Sequence, residues 1–146
     1  MKRFSKCGCF LLAIVIMMSF PVSATEEVES RSSSFFGNFS VYLDEVDDFN
    51  FAVCFRVTGI GIMEKIGACK IQVQISEDGE NWATTQTYTM EDHPEFIRSN
   101  AATHAHDFNY NGSRGFHYRA IIQLYAKNST GTAKLTRYTS AIVLGD

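Results

Sequence analysis

Ile71-Gln-Val-Gln-Ile-Ser-Glu-Asp-Gly-Glu-Asn-Trp82 is the stretch that decides the fold class. Its first half alternates with a period of two. Cys69, Ile71, Val73 and Ile75 therefore share one face of an extended strand, and Lys70, Gln72 and Gln74 share the other. Asp78-Gly79 supplies a hairpin turn signal. From Asn81 to Met90 the chain carries Thr and Tyr at strand density, opening with its only tryptophan, Trp82.

The same alternation extends in both directions. Upstream, Phe39, Val41 and Leu43 form one apolar face before the acidic turn Asp44-Glu-Val-Asp-Asp48. Phe49, Phe51, Val53, Phe55 and Val57 form another, which Thr58-Gly-Ile-Gly61 is expected to break. Downstream, Pro94 predicts a loop or one short helical turn within residues 91–100. Ala102, His104, His106, Phe108 and Tyr110 then share a strand face, and Asn111-Gly-Ser-Arg-Gly115 turns the chain. Tyr118 to Asn128 is the clearest strand of all, and Ala133 to Leu144 returns as the last. No long stretch has a helical period. About seven short strands with no helix to cover a face predict an all-β fold, a two-sheet antiparallel β-sandwich.

The N-terminus sets the compartment. Lys2, Arg3 and Lys6 precede the apolar run Phe10–Phe20, and Val22-Ser-Ala24 offers the small residues that signal peptidase requires. The run is too short to span a bilayer, for which about 20 apolar residues are needed. The expected organisation is a signal peptide over 1–24, a flexible leader over 25–34 and a β-sandwich domain over 35–146. The expected location is secreted or extracellular, with possible cell-wall association, and the membrane is met only through the transient signal peptide. Without the three basic residues of the signal, 10 Lys+Arg face 16 Asp+Glu, a net charge of −6. No run of Lys or Arg is present, so nucleic acid is not an expected partner.

Cys7 and Cys9 leave with the signal, so Cys54 and Cys69 are the only thiols of the mature chain. In an oxidising compartment the expectation is a Cys54–Cys69 disulfide.

Two stretches resemble fibronectin type III-like or immunoglobulin-like domains. The Ile71–Trp82 segment resembles their central hairpin, and Tyr110-Asn-Gly-Ser-Arg-Gly-Phe-His-Tyr118 resembles the corner into the penultimate strand, with Tyr118 at the tyrosine-corner position. The mature chain also resembles a family of small proteins exported by Gram-positive bacteria, a domain of unknown function. That likeness rests on Met63-Glu-Lys-Ile-Gly-Ala68, Ser76–Trp82, Tyr118-Arg-Ala120 and Tyr125-Ala126. It implies export and fold, and carries no catalytic residue.

Candidate chemistry is sparse. His104 and His106 have the spacing of two metal ligands on one strand face, and His117 is a conceivable third, but no Cys or His-Glu-x-x-His helix accompanies them. They are weak metal candidates beside the ordinary reading of histidines on a half-exposed strand. No Gly-x-Ser-x-Gly elbow is present. The acidic groups Glu91-Asp92-x-x-Glu95 and Asp44–Asp48 read as hydrated turns, the latter without the glycine and glutamate of an EF-hand. The aromatics are the most suggestive feature: Trp82 is the first candidate for ligand stacking, and Tyr88, an even number of positions along, is expected to point the same way. The expected function is a secreted, non-catalytic binding or cell-surface interaction module without cofactor. Its candidate partners are a glycan, the cell wall or a surface protein. The alternatives are a carbohydrate- or cell-wall-binding module and a metal-dependent hydrolase using the histidine segment.

Overall fold

A computed structural model describes residues 34–146, so the expected signal peptide and all but the last residue of the expected leader lie outside the described residues. The strands are β1 (Phe36–Asp47), β2 (Asn50–Ser76), β3 (Ala83–Thr89), β4 (Ile97–Asn111), β5 (His117–Asn128), β6 (Gly131–Tyr138) and β7 (Ile142–Val143). A 3₁₀ turn, Pro94–Phe96, sits between β3 and β4. The chain is all-β and its strand pairs are antiparallel.

The seven strands form one hydrogen-bonded sheet, where two separate sheets were expected. The cause lies at Thr58-Gly-Ile-Gly61. This segment bulges the strand without ending it, and the pairing with β4 jumps from Thr58↔Thr103 to Met63↔Ala101. Glycine is required on both sides of Ile60. A Cβ on Gly59 would come within 2.8 Å of the Met63 side chain, and Gly61 holds φ at +86°. Two expected strands thereby fuse into a single β2 of 27 residues.

The first half of β2 lies between β1 and β4, and its second half between β3 and β5, which in turn carries β6 and β7. Tyr118 pairs with Ile75 at the far end of β2, yet its ring centroid is 5.0 Å from that of Phe51 at the near end. A straight strand would separate those ends by roughly 80 Å. β2 therefore bends back, and the sheet curls until its two leaves face each other.

The alternation explains what fills the space between them. Phe51, Val53, Phe55 and Val57 point inward from one leaf, while Ile71, Val73, Ala120, Ile122 and Leu124 point inward from the other, all essentially excluded from solvent. Phe96, delivered by the 3₁₀ turn, plugs the edge of this core against Phe55 and Phe108. Gly67 makes room for that turn, since any Cβ there would collide with the Phe96 carbonyl. Buried Tyr118 accepts a 2.8 Å hydrogen bond from the Ser113 amide, which fixes the corner before β5.

Candidate functional site

The outward face of the β3–β2–β5–β6 leaf is the candidate binding surface. Because Ile71, Val73, Ala120 and Ile122 point inward, their neighbours Gln72, Gln74, Arg119 and Ile121 point outward. The Arg119 guanidinium lies over the Trp82 ring, 4.3 Å from its centroid, and 5.5 Å from that of Tyr138. Its Nε donates to Gln74 Oε1 at 2.8 Å, and Gln74 Nε2 donates to Thr84 Oγ1 at 3.2 Å. A cation between two aromatic rings, tethered by an amide, holds its shape without a ligand. Tyr138 remains 60% exposed, so a stacking surface is open to solvent.

Trp82 is placed by the turn before β3. Asp78 organises that turn: its carboxylate accepts from the Glu80 and Asn81 amides, from Asn81 Nδ2 and from Ser76 Oγ. These donors, the Asn81 amide foremost, hold its pKa far below the usual carboxylate range.

Tyr88 does not join Trp82. The β2–β3 register slips between Gln74↔Thr84 and Val73↔Gln86, a bulge that inverts the parity of every later residue of β3. Tyr88 consequently turns inward, 4.8 Å from the Phe108 ring and 5.3 Å from His93. Burial raises its pKa. The second aromatic of the platform is Tyr138, brought beside Arg119 by the pairing Ile121↔Tyr138.

The expected Cys54–Cys69 disulfide is absent, and both thiols are free and buried. Cys54 points outward from one leaf, between Tyr42 and Asp107. Cys69 sits on the outer side of the other, its Sγ donating to Gln123 Oε1 at 3.1 Å. Facing β-layers lie about 10 Å apart, beyond the roughly 7 Å between Cα atoms that a disulfide tolerates. Burial raises the pKa of both, and Asp107 and Asp44 raise that of Cys54 further. These are protonated thiols, the opposite of an activated nucleophile. Cys54 forms the floor of an open trough of about 610 Å³ with Tyr42, Asp44, Ala52, Arg56 and Asp107. Tyr42 stands opposite Cys54 across the β1–β2 ladder, and the neighbouring Cys54 side chain is the main cause of a raised tyrosine pKa.

His104 and His106 do share a face, with ring centroids 6.3 Å apart, but both pack on Phe55. His104 Nε2 is 2.9 Å from the Glu95 carbonyl oxygen, and burial lowers its pKa. His93 Nδ1 contacts Glu95 Oε1 at 3.0 Å. His117 is on the other leaf, against Gly79. Among the described residues no three His, Cys, Asp or Glu side chains gather in a metal-binding arrangement.

No protein-family model matches the chain, and no curated protein matches it. Among solved structures, a late embryogenesis abundant (LEA) protein is 15% identical, with TM-score 0.45, over 82% of this chain and 86% of that one. ApaA from Bordetella pertussis is 12% identical, with TM-score 0.42, over 76% and 94%. The sporulation control protein Spo0M from Bacillus subtilis is 13% identical, with TM-score 0.40, over 70% and 47%. Likenesses this distant carry no functional argument.

Proposed function

We propose that the chain is an exported, non-catalytic binding module that recognises carbohydrate through the outward face of the β3–β2–β5–β6 leaf. The observation that carries this reading is the Trp82–Arg119–Tyr138 stack, pre-ordered by Gln74 and left open at Tyr138. Sugar rings present apolar C–H faces to aromatic surfaces and hydroxyls to flanking donors and acceptors. Gln72, Gln74, Thr84, Thr87 and Thr136 surround the stack with such groups at outward positions.

The non-catalytic part rests on the chemistry of the reactive side chains. The thiols are kept protonated, His104 is engaged with a backbone carbonyl, and His117 is on a different leaf from His104 and His106. Export rests on the sequence of residues 1–24. In this reading the curled sheet is a fibronectin type III-like sandwich whose two layers stay joined through β2. The Tyr118–Ser113 hydrogen bond supports it, as does the resemblance to the small exported Gram-positive family.

A glycan array probed with residues 25–146 tests the proposal. Specific binding that Trp82→Ala and Tyr138→Ala each weaken, with melting curves unchanged, is the expected result. An array without specific signal, or binding indifferent to both substitutions, would refute it.

A further inference from the structure

The chain is acidic, yet its charge is divided between the two leaves. Among the described residues, Asp44, Glu45, Asp47 and Asp107 belong to β1 and β4 of one leaf. On the other leaf, residues 65–76 of β2 and the whole of β3, β5 and β6 contain no Asp or Glu. These same segments hold Lys65, Lys70, Arg119, Lys127, Lys134 and Arg137. All but Arg137 occupy outward positions, because Ile66, Ala68, Ala126 and Ala133 beside them point into the core.

The register groups these cations. Lys65 stands directly opposite Lys127, Lys70 opposite Gln123, and Lys134 opposite Tyr125 on the neighbouring strand. Like charges facing each other across a ladder destabilise a sheet, so the Lys65–Lys127 pair is a local cost to the fold. Among the described residues none of the five outward cations lies within ion-pair distance of a carboxylate; the ion pairs of the structure are His93–Glu95 and Arg114–Asp48. The acidic groups bordering the strip are Glu64, next to Lys65 on β2, and, in connecting turns, Glu91 beside Lys65 and Glu77, Asp78 and Glu80 at the Trp82 end. From Lys127 to Arg119 the cations run roughly 27 Å along β5, at 3.4 Å per residue.

We infer that the ligand of this face is an anionic polysaccharide, one bearing repeated carboxylate, sulfate or phosphate groups, laid along β5 with its rings at the Trp82–Arg119–Tyr138 stack and its charges over Lys70, Lys127 and Lys134. The inference rests on the carbohydrate reading above and adds the charge of the ligand to it. Complementarity favours this occupant: an extended cationic strip needs a polymer with distributed negative charge. The interleaved Gln and Thr side chains suit sugar hydroxyls.

The test compares dextran sulfate and polygalacturonate with neutral dextran, using affinity electrophoresis on the mature chain and on Lys70→Gln/Lys127→Gln/Lys134→Gln, three exposed positions whose replacement spares the core. Expected is tight binding to one or both polyanions, weakened by salt, and weak binding to dextran. The triple variant should lose about tenfold toward the polyanion, on the scale of exposed charge pairs, with dextran affinity unchanged. Binding to dextran as tight as to both polyanions, or a triple variant that binds the polyanion undiminished, would overturn the charge inference and leave the carbohydrate reading intact. Tighter binding to a single-stranded DNA oligonucleotide than to either polyanion would overturn it in favour of nucleic acid. If no polysaccharide binds and Trp82→Ala is silent, both readings fall together.

Discussion

Replacing Phe96 tests the claim that a short turn, and no strand, closes the edge of the core. Phe96 is 1% exposed although it belongs to a three-residue 3₁₀ turn. Its ring lies 6.2 Å from Phe55, 5.5 Å from Phe108, 5.4 Å from His106 and 5.1 Å from His93. Phe96→Ala removes the whole ring from a site whose walls are strands and cannot collapse around the void. The transfer and cavity contributions together should cost about 3–5 kcal/mol. For a domain of this size about 1 kcal/mol shifts the melting temperature by roughly 4 °C, so a fall of about 12–20 °C is expected. Phe96→Leu keeps most of the volume and should fall by less than half as much. Circular dichroism melts with parallel urea titrations measure both, and an unchanged urea slope would show that the unfolded state is not responsible. A Phe96→Ala melt within about 3 °C of the parent would refute the reasoning, because the ring could then not be an integral part of the core.

Three further outcomes are expected. Tyr118→Phe leaves the Ser113 amide without its acceptor and should cost about 1 kcal/mol in urea titration, with the fold retained. Alkylation of denatured, unreduced residues 25–146 should add one group at Cys54 and one at Cys69, whereas an unmodified mass would show a bridge. Stability should fall in two steps on acidification. His104 has a lowered pKa, so the neutral ring favours the fold. That contribution is present above the unfolded value of about 6.5 and is lost as the pH drops through the folded value. Asp78 follows the same sign lower down, from an unfolded value near 3.9. In melts across pH, His104→Gln should flatten the first step and Asp78→Asn the second; a profile unchanged by either substitution would contradict its assignment.

Much of the fold is legible in the sequence because burial on one face enforces alternation. Of the expected face Phe49, Phe51, Val53, Phe55 and Val57, the last four point into the core together, while Phe49 falls in the turn before β2 and is 56% exposed. Two misreadings arise where extra residues enter a ladder. The glycines of Thr58–Gly61 read as a break, yet a bulge lets pairing resume at Met63. The slip near Gln74 turns Tyr88 away from Trp82, which counting by twos cannot reveal. Cys54 and Cys69 are separated by a loop length suited to a bridge, but spacing is silent about which leaf each faces. The cationic strip was hidden for a different reason. Its residues are scattered from Lys65 to Lys134, one or two per strand, and only the pairing gathers them. A composition that excludes basic runs does not exclude a basic face.

The shared strand also dictates how this protein must fold. Every residue of β2 that meets β5 finds a partner far along the chain, from Ser76↔His117 to Lys65↔Lys127, and its first half waits equally long for β4 in the pairing Asn50↔Asn111. Such high contact order places folding in the millisecond-to-second range. Neither leaf can form and persist while the other is open, since both are built on the same 27 residues. Amide protection along β2 should therefore collapse in one cooperative step, and an interruption at the Gly59–Gly61 corner should unfold the two leaves together.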